Sequence, residues 1–146
     1  MRLLLEAIDL LVNRKVSGLR RVMYVHQHHA DESCGPIEVS FEDGYGLVFD
    51  AGPDGESLAL KSGCWVDPFA GEQSAEDLDF VRRSGKWTAF EVNASESLGR
   101  AVGERVLAVK PLLRNQKVVG CSVVLETLTV TFEARFDELF FRVSDH

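Results

Sequence analysis

Three of the four histidines stand close together, in the run Tyr24-Val-His26-Gln-His28-His29-Ala-Asp31-Glu32-Ser-Cys34. Side chains alternate along an extended strand, so His26 and His28 would leave the same face, as a pair of metal ligands does. Asp31, Glu32 or Cys34 could then supply a third ligand from the following turn. The chemistry this points to is metal binding, with zinc as the ion, His26, His28 and Cys34 as the ligand set and His29 beside them. A strand end running into a polar loop accounts for the same residues without a metal. Nucleophilic catalysis finds less support. Ser33 and Cys34 lie near His29, but sequence neighbours are rarely placed as nucleophile and base. The chain contains no G-x-S-x-G, P-loop or G-x-G-x-x-G pattern. Cys64 and Cys121 read as core or near-core thiols. The expectation is a chain that is not an enzyme and holds no obligatory cofactor.

Carboxylates form the second group that could do something. Glu38, Glu42, Asp43, Asp50, Asp54 and Glu56 gather between residues 37 and 61, and Glu72, Glu76, Asp77 and Asp79 make a second run. Arg14, Lys15, Arg20 and Arg21 form a basic band ahead of them. With 16 basic and 23 acidic residues the formal charge is −7. That balance disfavours a general nucleic-acid binder, since counterion release needs clustered lysine and arginine. It also disfavours a polybasic membrane anchor. The first five carboxylates are therefore expected to mate with a basic protein partner, steered by long-range attraction. The plain alternative is a solvated acidic surface. Trp65 and Trp87 either anchor such an interface or fill the core.

The elements that must position these groups follow from periodicity. Leu4, Ala7, Ile8 and Leu11 share one side of an amphipathic helix over residues 2–13. The period then changes to two. Ile37, Val39 and Phe41 alternate with Glu38, Ser40 and Glu42, and Asp43-Gly44 is a hairpin signal. Return strands over residues 45–51 and 56–61 complete a three-stranded meander. Ser74-Ala-Glu-Asp77 has the form of a capping box, with Asp in place of Glu, opening a short helix that Gly85 stops. Further strands are expected over residues 86–93, 106–113, 118–125 and 128–134, with Leu139, Phe141 and Val143 in a last one. Pro111 suits an edge position or a bulge.

About eight strands and few helices predict an α+β chain, mainly antiparallel β. The architecture expected is one curled sheet, a partial barrel or a sandwich, with the N-terminal helix packed on it. Residues 1–146 read as one domain, and 45% apolar content suffices for one core. Three widely spaced cysteines suit reduced thiols in the cytoplasm rather than a disulfide framework. Glu6 and Asp9 interrupt the apolar start, which argues against a signal peptide. No uncharged apolar run reaches the roughly 18 residues of a membrane span.

In the second half, Trp87-Thr-Ala-Phe-Glu-Val92, Leu98-Gly-Arg-Ala-Val-Gly103, Asn115-Gln116, Gly120 and Glu133-Ala-Arg-Phe-Asp-Glu-Leu139 form an ordered pattern. Over roughly residues 38–143 the chain resembles a family of small bacterial domains of unknown function. Lys117 departs from the family's glycine after Asn-Gln. The shared positions are turn glycines and strand apolars, so the resemblance carries no catalytic residue and implies a binding role. The histidine run also resembles the zinc motif of metallo-β-lactamases. It departs from that motif at His29 and Ala30, and no later ligand histidines follow. Three functions stay open. One is a cytoplasmic binding protein, in its specific form an immunity-type protein that neutralises a basic partner. The second is a metal- or small-ligand-binding protein using His26, His28 and His29. The third is a structural subunit that forms a homodimer through an open sheet edge.

Overall fold

A computed structural model describes residues 2–71 and 73–146; Glu72, in the second acidic run, lies outside the described residues. The N-terminal helix α1 (Arg2–Asp9) ends earlier than its periodicity predicts. Asn13 sits in the left-handed region (φ 73°) and its N–H donates to the Val106 carbonyl at 2.8 Å. Between the helix and Asn13 the chain tightens, Leu11 and Val12 bonding three residues back to Ile8 and Asp9, before Asn13 turns to Val106. Ile8 and Leu11 are both 1% exposed, so the apolar face is buried as its spacing requires.

Six strands make the first sheet: β1 (Val16–His26), β2 (His29–Ala30), β3 (Ile37–Phe41), β4 (Gly46–Ala51), β5 (Leu58–Ser62) and β6 (Lys86–Glu91). β1 is its axis. One edge of β1 pairs with β3 and then β2, the other with β6, and β4 and β5 extend the sheet beyond β3. β3, β4 and β5 are the meander that the alternation predicts. Between β5 and β6 lies the helix α2 (Ala75–Ser84), opened by the Ser74/Asp77 capping box and closed at Gly85, as expected.

The second sheet has four strands in sequence order: β7 (Ala108–Arg114), β8 (Lys117–Val124), β9 (Leu128–Arg135) and β10 (Glu138–Asp145). All pairings in both sheets are antiparallel. Pro111, which has no N–H to give, lies in the edge strand β7. The fold is thus α+β and mainly antiparallel β, built as two sheets rather than one curled sheet.

The sheets face each other across an apolar core. Alternation sends Ile37, Val39 and Phe41 of β3 inward with Leu128, Val130 and Phe132 of β9. Phe49 of β4 stacks on Phe132 with ring centres 4.2 Å apart and planes 10° from parallel. The void inside this core is about 20 Å³, roughly one water. The sheets are also clamped at one end. The Asp137 N–H donates to the Gly55 carbonyl at 3.0 Å, and a Cβ on Gly55 (φ +73°) would come within 2.1 Å of an Asp137 carboxylate oxygen. A side chain there would have to displace the Asp137 carboxylate and hold a left-handed backbone. Among the described residues no helix is long and apolar enough to cross a membrane.

Candidate functional site

The histidine segment does not have the geometry its spacing suggests. Gln27 and His28 both take positive φ (52° and 68°) and form a two-residue turn, so β1 ends at His26. His28 therefore sits in the turn rather than on the face of β1 that carries His26. The residue opposite His26 is His29 on β2. Cys34 is 8% exposed, and burial pushes its thiol pKa up, whereas a metal needs the thiolate. Among the described residues no group of three or more His, Cys, Asp or Glu side chains is placed to hold a metal ion. His26, His28 and Cys34 are thus not assembled as a centre. Nε2 of His26 is instead buried without a hydrogen-bond partner. Of the other cysteines, Cys121 is a core residue as expected, its thiol pushed up to about 12 by burial, while Cys64 is exposed.

The acidic face also rearranges. Glu38 points to the outer surface of the first sheet but is only 4% exposed. Arg20, directly opposite it across β1 and β3, donates through Nε to Oε2 and through Nη2 to Oε1, both at 2.6 Å. The Trp65 N–H donates to Glu38 Oε1 at 2.8 Å, and Arg20 Nη2 donates to the Trp65 carbonyl at 3.1 Å. The Arg20 guanidinium holds the Glu38 carboxyl below the ordinary range. Glu38 is therefore structural, which corrects its assignment to a partner-facing surface.

Three of the other four carboxylates carry cations already. Glu42 pairs with Lys15 at 3.6 Å, Asp43 pairs with Arg14, and Asp54 pairs with Lys117 at 3.2 Å. Hydrogen bonds from Ser57, then Glu56 and Lys117, hold the Asp54 carboxyl far below its usual range. The basic band and the acidic turns, separate in sequence, are folded against each other. Among the described residues, Asp50 alone of the five has no cation partner. Its carboxylate accepts the Ala51 N–H at 2.8 Å, and burial pushes its pKa up.

Asp50 belongs to a cleft that only the fold creates. The chain between β5 and α2 crosses the outer face of the first sheet as a strap. The Glu38–Arg20 pair grips it at the Trp65 main chain. Lys86 of β6 grips it again through Asp67 at 2.8 Å, while Asp67 also accepts the Phe69 N–H at 2.8 Å. Phe69 stacks on Phe80 of α2 at 5.9 Å, and Tyr24 meets Trp87 edge to face at 5.5 Å. Between strap, α2 and sheet lies a cleft of about 670 Å³, lined by Tyr24, Trp65, Phe69, Phe80 and Trp87. Both tryptophans of the chain are in it.

Three carboxylates, Asp50, Asp137 and Glu138, share this lining with one cation, Lys86, which Asp67 already occupies. The described lining contains no serine, cysteine or histidine. Flat aromatic faces beside uncompensated carboxylates suit a ligand that is both planar or apolar and positively charged. Sequence reasoning named Trp65, Trp87 and Asp50 separately but missed Tyr24, Phe69, Phe80, Asp137 and Glu138. The one available signal was the density of aromatic and proline residues over residues 65–69, between a strand and a capping box. Comparison of the chain with protein-family models, with curated proteins and with solved structures finds no match.

Proposed function

We propose that this chain is a non-enzymatic binding protein that docks a basic segment of a protein partner in the cleft on the outer face of its first sheet. The observation that carries this reading is the composition of the lining: five aromatic side chains with three carboxylates and, among the described residues, no free cation. Aromatic residues concentrate binding energy at interfaces, and a negative cleft steers and retains a positive partner. An immunity-type role, with a basic toxin as the partner, is the specific form of this reading. The binding surface differs from the one the sequence suggests. Glu42, Asp43 and Asp54 are paired within the chain, so the attraction falls to Asp50, Asp137 and Glu138.

Because both tryptophans line the cleft, their emission reports occupancy directly. Titration at low salt with a short peptide of arginine, lysine and glycine should shift or quench that emission to saturation. Added salt should weaken the response, and a peptide of glutamate, aspartate and glycine should give none. Unchanged emission up to millimolar basic peptide overturns the proposal.

A further inference from the structure

We infer that the cleft accepts one arginine side chain of the partner, its guanidinium set against the aromatic lining with Asp50 as its counter-charge. This rests on the binding role proposed above and narrows it to a chemical group and an anchoring residue. Asp50 lies on β4, two residues along from Phe49's outward neighbour Val48, on the floor that the strap roofs over. It is half-buried, accepts an N–H from the adjacent residue and, among the described residues, has no ion-pair partner. Every other carboxylate of the meander that is this sheltered or close to a cation is paired, Glu38 with Arg20 most fully. A sheltered carboxylate without a cation is costly, and a cation arriving with a ligand would relieve that cost.

The choice of arginine over lysine follows from hydration and shape. An ammonium is compact and strongly hydrated, so it loses much on entering a half-buried aromatic site. A guanidinium is planar, more weakly hydrated, stacks on aromatic faces and meets a carboxylate with two N–H groups at once. The chain shows the contact distance with its own residues. Arg14 lies 4.1 Å from the Tyr45 ring centre and Arg135 lies 4.4 Å from that of Phe140. Arg20 and Glu38 show the two-pronged pairing on the same face of the same sheet. The cleft offers both halves of that chemistry, ring faces and a carboxylate, with no arginine of the chain in its lining.

The test uses three peptides of identical flanks, Gly-Ser-Gly-X-Gly-Ser-Gly with blocked ends, where X is arginine, lysine or citrulline. Citrulline keeps the shape and loses the charge. Tryptophan emission should saturate with the arginine peptide. The lysine peptide should bind several-fold more weakly, and the citrulline peptide at least tenfold more weakly. Asp50→Asn should weaken the arginine peptide at least tenfold while Glu42→Gln, far along the meander, leaves it unchanged. Equal binding of arginine and citrulline, or full arginine binding by folded Asp50→Asn, overturns the inference. The citrulline arm decides even if Asp50→Asn fails to fold. If the peptide of arginine, lysine and glycine binds while these arms show no arginine or Asp50 preference, the arginine assignment falls and the binding role stands. If that peptide also fails, the binding role falls with it.

Discussion

Two carboxylates on the outer face of one sheet, on neighbouring strands, meet opposite fates. Around Glu38 the face is closed: the carboxylate is 4% exposed, doubly bonded to Arg20 and bonded again to the strap at Trp65. Around Asp50 the face is open: the carboxylate lines the cleft with one N–H from its neighbour. The first carboxyl is held below its ordinary range by an arginine, and the second is pushed above it by burial. The difference lies in the partner strand. Arg20 stands directly across from Glu38, whereas Ala59 stands across from Asp50. The closed half secures the strap, and the strap in turn makes the open half a cleft rather than a bare sheet.

The largest effect that would break this contrast is expected from Glu38→Gln. It removes the charge that the buried side of Arg20 faces and weakens the hold on Trp65. Loss of a buried pair's partner reaches about 3–5 kcal/mol. The Arg20 side chain is 34% exposed, which allows it to recover some solvation and brings the expected loss to about 2 kcal/mol. Urea denaturation measures the loss, and a red shift of tryptophan emission in the folded state would show Trp65 released. A double replacement, Arg20→Met with Glu38→Leu, should regain part of the stability but not the strap contact, since neither new side chain can bond the Trp65 main chain.

Acid should separate the two halves by sign. Glu38 has a folded pKa below its unfolded one, so its contribution is complete above the ordinary glutamate range near about 4.3 and is lost as pH falls through the lower folded value. Asp50 has a folded pKa above its unfolded one. The folded state then binds its proton more readily, so lowering the pH through that raised value favours folding at this site. Stability measured against pH for the wild type minus Glu38→Gln, and for the wild type minus Asp50→Asn, should change in opposite directions on acidification. Parallel curves would erase the distinction.

The smallest effect is expected at the second grip on the strap. Asp67 and Lys86 are each 24% exposed at the side chain, so Asp67→Asn should cost about 0.5–1 kcal/mol. Its signature is local: faster amide exchange at Phe69, whose N–H bonds to Asp67, with the sandwich core unaffected.

Much of this was legible in the chain because it is local. Alternation over Ile37–Phe41, the Asp43-Gly44 turn and the Ser74/Asp77 box each depend on residues within a few positions of one another, and each formed where its pattern placed it. The ends of helices and strands were less legible. Asn13 turns out of the helical path to bond Val106, far along the chain. Gln27-His28 turns the chain back without a glycine, so no turn signal marked it and the histidine pair was misplaced.

The amino-acid sequence by itself determined the composition of this protein's parts: an antiparallel β-rich chain with α helices at its start and middle, a net charge of −7, and strands whose apolar faces had to meet. Only the tertiary structure decided which charges are spent and which remain. Periodicity tells which face of a strand a carboxylate leaves from, but not which residue of another strand stands across from it. Register across β1, β3 and β4 is set by the packing of the opposite, apolar face, since slipping by one residue would turn that face out to water. The same register brings Arg20 to Glu38, sets Ala59 rather than a cation across from Asp50, and leaves the second carboxylate among the aromatic side chains of the cleft.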